Sequence, residues 1–200
     1  MSALPPPLPL GVFWGLRRLA DDGGRFMLSD LRGAEPEVLA DLLTGLAPFA
    51  TGVVVDPEPG RTVWRRCATP LFGRIEAASD PAELAAAKRT GADAVVAPAA
   101  LADAARDHEL ARLGDDPAAD LRLDAADAGP WLAVTAGADV DTAAAGLAGY
   151  LLTPGFWRAR LAAAPDAAVR RRLIADELAP RVQALNARVA DLPAAGWLAG

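Results

Sequence analysis

The chain has 200 residues, 52% of them hydrophobic, with a net charge of −6, one cysteine and one lysine. That is enough apolar material for one sizeable core, and the acidic balance argues against a phosphate-neutralising nucleic-acid face. No apolar run approaches the roughly 20 residues a bilayer span requires, and the lone Cys67 excludes internal disulfides, so the expected setting is the cytoplasm, away from membranes.

Residues 1–12 are proline-rich and lack the basic start of a signal peptide, so they read as an extended polyproline-type tail. Residues 13–200 read as a single domain. A short helix is expected over 13–19, a turn at 21–24, and a first strand over 26–30 that ends in Asp30, Arg32 and Gly33. Apolar residues at 38, 39, 42, 43 and 46 have helical spacing. The run Gly52-Val-Val-Val is a strand buried on both faces, the signature of a parallel sheet, and Asp56, Pro57, Glu58, Pro59 and Gly60 end it abruptly. Two carboxylates therefore stand at the C-terminal lip of a parallel strand, where open sheets and barrels of this class place their chemistry.

A weaker strand is expected over 69–76, with Glu76 at its end. Ser79, Asp80, Pro81 and Glu83 mark a helix start, and that helix should stop at Gly91. A strand over 93–98 and a helix over 99–113 follow. The acidic stretch 114–130 contains one thin strand, 120–124, and 131–137 is a better one. The gap between them looks too short for a parallel crossover. A short helix is expected over 139–147 and a last strand over 148–153. The rest is helical from 165 to 192, with an apolar stripe at 178, 182, 185, 189 and 192 and a kink at Pro180. Alternating strands and helices imply a parallel α/β architecture.

Several of these segments resemble one family in the right order. Residues 26–33, Phe-Met-Leu-Ser-Asp-Leu-Arg-Gly, are similar to the strand followed by Asp-Gln-Arg-Gly in tagatose-bisphosphate aldolases, the LacD-type class I aldolases. Residues 53–60, Val-Val-Val-Asp-Pro-Glu-Pro-Gly, resemble that family's Leu-Leu-Asp-Pro-Glu-Tyr-Gly. The helix and strand around 87–96, the strands at 132–137 and 149–157, and the closing Leu185, Asn186 and Trp197 also resemble it. The resemblance implies a shortened, degenerate TIM-type (β/α) barrel with roughly seven strands and a C-terminal helical segment. The fifth strand and about two helices have no counterpart in the alignment.

The departures bear on chemistry. A class I aldolase forms a Schiff base through a lysine amine, yet the resemblance places Arg122 at the nucleophile and Val96 at the family's second active-site lysine. Arginine stays protonated and cannot serve. The family's phosphate-clamping arginine falls on Pro154, with Arg158 and Arg160 nearby. What the alignment retains is a carboxylate set, Asp30, Asp56, Glu58 and Glu76, with Asp124 as a fifth member and Arg32 among them. These four acids are the candidate acid–base groups, and Arg32, Gly137 and Arg158 the candidate ligand-binding residues.

Each candidate has a plainer structural reading, in which the strand-end acids cap turns or pair with Arg32. No spacing motif supports a metal at Asp56, Glu58 and Glu76, and no cofactor is implied. Lys88, His108 and the Arg170–Arg172 run read as solvated helix faces, and Cys67 lacks a base or resolving thiol in the sequence around it. Trp131 and Trp157 stand next to strand ends, where they can plug the core or stack on a ligand. The functional expectation is a divergent aldolase relative, weakly catalytic or non-catalytic, that holds a small sugar-like or carbonyl metabolite, with phosphorylated ones included. The alternative is a structural or regulatory subunit that pairs with a catalytic partner or forms a homo-oligomer.

Overall fold

The structure, a computed structural model, describes residues 10–19, 25–46, 48–58, 60–67, 73–124, 131–135 and 146–192. Eight parallel strands close into a barrel in chain order: β1 (Phe26–Asp30), β2 (Gly52–Val55), β3 (Gly73–Ala77), β4 (Ala94–Val96), β5 (Ala111–Gly114), β6 (Leu121–Leu123), β7 (Trp131–Thr135) and β8 (Leu147–Leu152). β8 pairs in parallel with β1, Phe26 opposite Gly149 and Ser29 opposite Leu152, and this seam closes the sheet. The helices are α1 (Leu10–Leu19), α2 (Pro36–Leu46), α3 (Gly60–Cys67), α4 (Pro81–Arg89), α5 (Ala102–Asp107), α6 (Gly155–Leu161), α7 (Ala167–Leu173) and α8 (Ala179–Ala190).

Strand alternation sorts the side chains into two layers. Phe26, Leu28, Val54, Ile75, Ala94, Ala111, Leu113, Leu121, Leu132 and Leu151 fill the interior together with Val12 and Leu16 of α1. α1 thus plugs the end of the barrel at which the strands begin. Met27, Val53, Val55, Tyr150 and Leu152 face outward, under α2, α6 and α8. The apolar stripe of the C-terminal segment, Leu178, Val182, Leu185, Val189 and Leu192, is buried in this outer layer, so it covers the barrel's flank.

The strand count corrects the sequence reading of roughly seven. The supposedly missing fifth strand is β5, which lies inside the stretch read as one helix over 99–113. A 3₁₀ turn (Ala99–Leu101) and α5 take its first part, and the helix ends at Asp107. The objection that short gaps forbid a parallel crossover also fails here. Leu113, near the end of β5, pairs with Leu121, the first residue of β6. β6 therefore begins level with the point where β5 stops, and stretch 115–120 has no full barrel height to descend. Likewise Arg122 pairs with Trp131. Because the barrel is closed, no open strand edge calls for a partner to cover it.

Three further boundaries differ. α1 begins at Leu10, inside the stretch read as tail, and residues 1–9 lie outside the described residues. α3 and α6 were not foreseen, because each follows a proline-glycine turn that masks a helix start. A π-helical turn (Ile174–Leu178) precedes Pro180, whose missing N–H breaks the regular helical ladder. The helix expected over 139–147 lies almost wholly outside the described residues. Among the described residues no helix is long and apolar enough to cross a membrane.

Candidate active-site cleft at the strand ends

The first turn after β1 is built by its own charges. Asp30, only 3% exposed, accepts from the Arg32 backbone N–H (3.1 Å), Nε (2.9 Å) and Nη2 (2.6 Å), the last two a bidentate pair. The Asp30 carboxylate holds the Arg32 guanidinium above its ordinary range, against the opposing effect of burial, with Asp56 adding to the rise. Gly33 has φ +73 and donates its N–H to Asp56 Oδ2 (2.7 Å), which ties the β1 turn to the end of β2. A side chain at this glycine would meet Arg158 Nη2. Arg158 in turn donates to the Arg32 carbonyl (3.2 Å) and stacks on Trp157, its guanidinium 5.4 Å from the ring centre. Trp157 Nε1 donates to the Asp30 carbonyl (2.9 Å).

Beside this turn lies a cleft of about 390 Å³ over the ends of β2, β3 and β4. Its polar walls are Arg32, Asp56, Ser79 and Glu83, and its apolar walls include Val96 and Pro98. Ser79 and Glu83 lie just before and within α4. Asp80 caps that helix by accepting the Glu83 N–H (2.9 Å), while Glu83 Oε2 reaches back to the Ser79 N–H (2.6 Å) and Oγ (2.8 Å). The cap that starts α4 therefore also furnishes one wall of the cleft.

The candidate residues do not all converge. Asp30, Arg32, Asp56 and Arg158 stand together. Glu58 is exposed beyond Asp56. Glu76 faces the other way: Ile75 next to it packs inside the barrel, so Arg74 and Glu76 point outward. Glu76 is fully buried and accepts from Arg61 Nη2 (2.7 Å) and Nε (3.0 Å) of α3, pairs with Arg74 Nε (3.2 Å), and accepts from Thr90 Oγ1 (3.3 Å) after α4. It clamps two helices to β3 and does not open on the cleft. Asp124 also has a local duty: at φ +49 its Oδ1 accepts the Val134 N–H (2.7 Å), holding β6 to β7. Gly137 lies outside the described residues. Among the described residues no three acidic, histidine or cysteine groups are placed to hold a metal ion together.

Arg122, at the position the resemblance assigns to the nucleophile, lies between two inward residues, Leu121 and Leu123, and therefore points out of the barrel. Val96, at the second lysine position, lines the cleft. Lys88 is paired with Glu109 at 3.4 Å, both side chains exposed. Glu109 also abuts Gly11 of α1, the plug at the opposite end of the barrel. Ser79, Glu83 and Pro98 were not singled out as site residues from sequence, and Val96 entered only as the residue at a family lysine position. The Ser-Asp-Pro-x-Glu cap was legible, but its place beside Asp56 depends on the β2–β3–β4 order.

Fold and lip together define a TIM-type α/β barrel of eight parallel strands with an acid-rich cleft at their C-terminal ends. No family model matches the chain, and no curated protein does. Among solved structures it is similar to the crystal structure of a candidate fructose-1,6-bisphosphate aldolase from Coccidioides immitis, with a TM-score of 0.52 and 11% identity, covering 92% of this chain and 96% of that one. At that identity the likeness is one of fold, the parallel α/β barrel.

Proposed function

We propose that the chain is a divergent relative of the class I aldolases, of the LacD type its motifs resemble, which holds a small sugar-like or carbonyl metabolite in the lip cleft without Schiff-base chemistry. The observation that carries the reading is the position of Lys88. The one lysine is paired with Glu109, which abuts the α1 plug at the end of the barrel opposite the cleft. The inward positions nearest the cleft on β3 and β4, Ala77 and Val96, carry no amine. Asp30 has both oxygens engaged by Arg32, so its role is to fix the arginine. Asp56 is the remaining inherited acid that lines the cleft, and its carboxylate can accept a hydrogen bond from a substrate hydroxyl.

Borohydride reduction in the presence of dihydroxyacetone phosphate, followed by intact-mass measurement, tests this reading. The expected result is an unchanged protein mass. A mass gain that Lys88→Ala abolishes would place covalent chemistry at that lysine and overturn the proposal.

A further inference from the structure

The cleft, on whose ligand-holding role this inference rests, is rich in acceptors and poor in free donors. Two carboxylates line it, Asp56 and Glu83, and Glu58 stands exposed just outside. Asp56 receives one hydrogen bond, at Oδ2 from Gly33, which leaves Oδ1 open among the described residues. Glu83 receives its bonds from Ser79 at Oε2, which leaves Oε1 open. Among the described residues the one cation in the lining is Arg32, whose Nε and Nη2 are committed to Asp30, and the Asp30 charge offsets its own. Among the described residues, Arg32, Asp56 and Glu83 in the lining carry a net charge of −1, and the flanking Asp30 and Arg158 offset one another.

A phosphate entering this space would meet the open oxygens of Asp56 and Glu83 in a concave, partly desolvated setting, where like charges repel more strongly than in open water. A donor-bearing group would instead find two open carboxylate oxygens and the Ser79 hydroxyl. A bare divalent metal would need several converging oxygen ligands, and the described residues bring no such group together. We infer that the ligand of this cleft is a polyhydroxylated compound that carries an ammonium-type cation and no phosphate. Asp56 and Glu83 bind its cationic end, and Ser79 and Arg32 Nη1 bind its hydroxyls. Val96 and Pro98 take the carbon skeleton.

The test is calorimetric titration of the intact chain with three matched probes: glucamine (cationic), sorbitol (neutral) and sorbitol 6-phosphate (anionic). Glucamine should bind about tenfold or more tighter than sorbitol 6-phosphate at low salt, a gap that narrows as salt is added. The double variant Asp56→Asn, Glu83→Gln keeps both acceptor roles toward Gly33 and Ser79, and should bring the three probes to similar affinity. Tighter binding of sorbitol 6-phosphate overturns the charge inference alone and leaves a metabolite cleft standing. Binding of none of the three, or glucamine binding that the double variant leaves untouched, overturns the reading of the cleft as a ligand site as well.

Discussion

The indole Nε1 of Trp157 donates to the backbone carbonyl of Asp30 at 2.9 Å, joining the first turn of α6 to the last residue of β1. The bond spans the β8–β1 side of the barrel and holds the backbone from which Arg32 and Gly33 turn toward the cleft. Trp157→Phe keeps an aromatic ring but leaves that buried carbonyl without its donor. A loss of about 1–3 kcal/mol is expected, read as a lower midpoint in urea unfolding. A midpoint unchanged from the wild type would show that the bond contributes nothing.

Glu76 and Asp56 are separable by experiment. Glu76→Ala removes the buried carboxylate that Arg61 and Arg74 share, and is expected to cost about 3–5 kcal/mol of stability. Asp56→Asn retains the bond from Gly33, so its unfolding midpoint should stay close to wild type while ligand affinity changes. Paired denaturation and calorimetry on both variants would expose the opposite pattern, which would put Glu76 in the site after all.

Gly149 makes closure possible. Its φ is +153, and a Cβ there would lie 1.8 Å from the carbonyl oxygen of Phe26, backbone that has no room to yield. Gly149→Ala is therefore expected to break the β8–β1 pairing and cost about 4 kcal/mol or more. Loss of the cooperative thermal transition, measured by circular dichroism, checks this.

Around β5 two carboxylates respond to acid in opposite senses. The hydrogen bonds from Arg112 hold the Asp116 carboxyl below its usual value of 3.8, outweighing burial. Its folded pKa is thus below its unfolded one. The stability it supplies is present above about pH 4 and is lost as pH falls through the folded value. Asp120 is shifted upward by burial, against the Arg112 backbone N–H and the charges of Arg106 and Arg112. Its contribution is full below the unfolded value of 3.8 and lost as pH rises through the raised folded value. In urea midpoints measured across acid pH, Asp116→Asn should flatten the loss of stability below about pH 4, and Asp120→Asn should steepen the loss on acidification just above about pH 4. The same slope in all three proteins would contradict both assignments.

Those two residues also explain how the barrel dispenses with a helix between β5 and β6. Arg112, 1% exposed, points outward from β5 and forms bonds from Nη1 and Nη2 to Asp116 (2.7 and 2.5 Å) and from Nη1 to the Ala97 carbonyl (2.8 Å). Asp120 accepts the Arg112 backbone N–H (2.9 Å) and returns its own N–H to the Arg112 carbonyl (2.9 Å). Stretch 115–120 thus folds back over the strand and supplies the cover a helix would give. From sequence, Arg112 between Ala111 and Leu113 falls in the stretch read as a helix over 99–113. Only the carboxylates brought back by the loop make it tolerable inside a barrel wall.

Much of the fold was legible where local pattern and final burial agree. Residues 26–30 and 52–55 are strands because β-branched and apolar runs suit a sheet covered on both faces, and α4 starts at the Asp80 cap and stops before Gly91 as its residues dictate. Asp30, Arg32 and Asp56 could be placed at the lip because each immediately follows or ends such a strand. Glu76 could also have been placed. Ile75 between two charged residues signals that the charges face away from the interior, and this parity went unused.

The chain by itself determined the parallel α/β class, the strand-end carboxylates and the single lysine, since these depend on local runs and on composition. The tertiary structure alone decided that eight strands close, that Glu76 and Arg122 face outward, and that Ser79 and Glu83 join Asp56 around one cleft. The physical reason is that closure, strand parity and the meeting of separate loops are set by pairing between strands distant in sequence, such as β8 with β1. That pairing depends on register and on close backbone approach, as at Gly149, which short-range patterns do not encode.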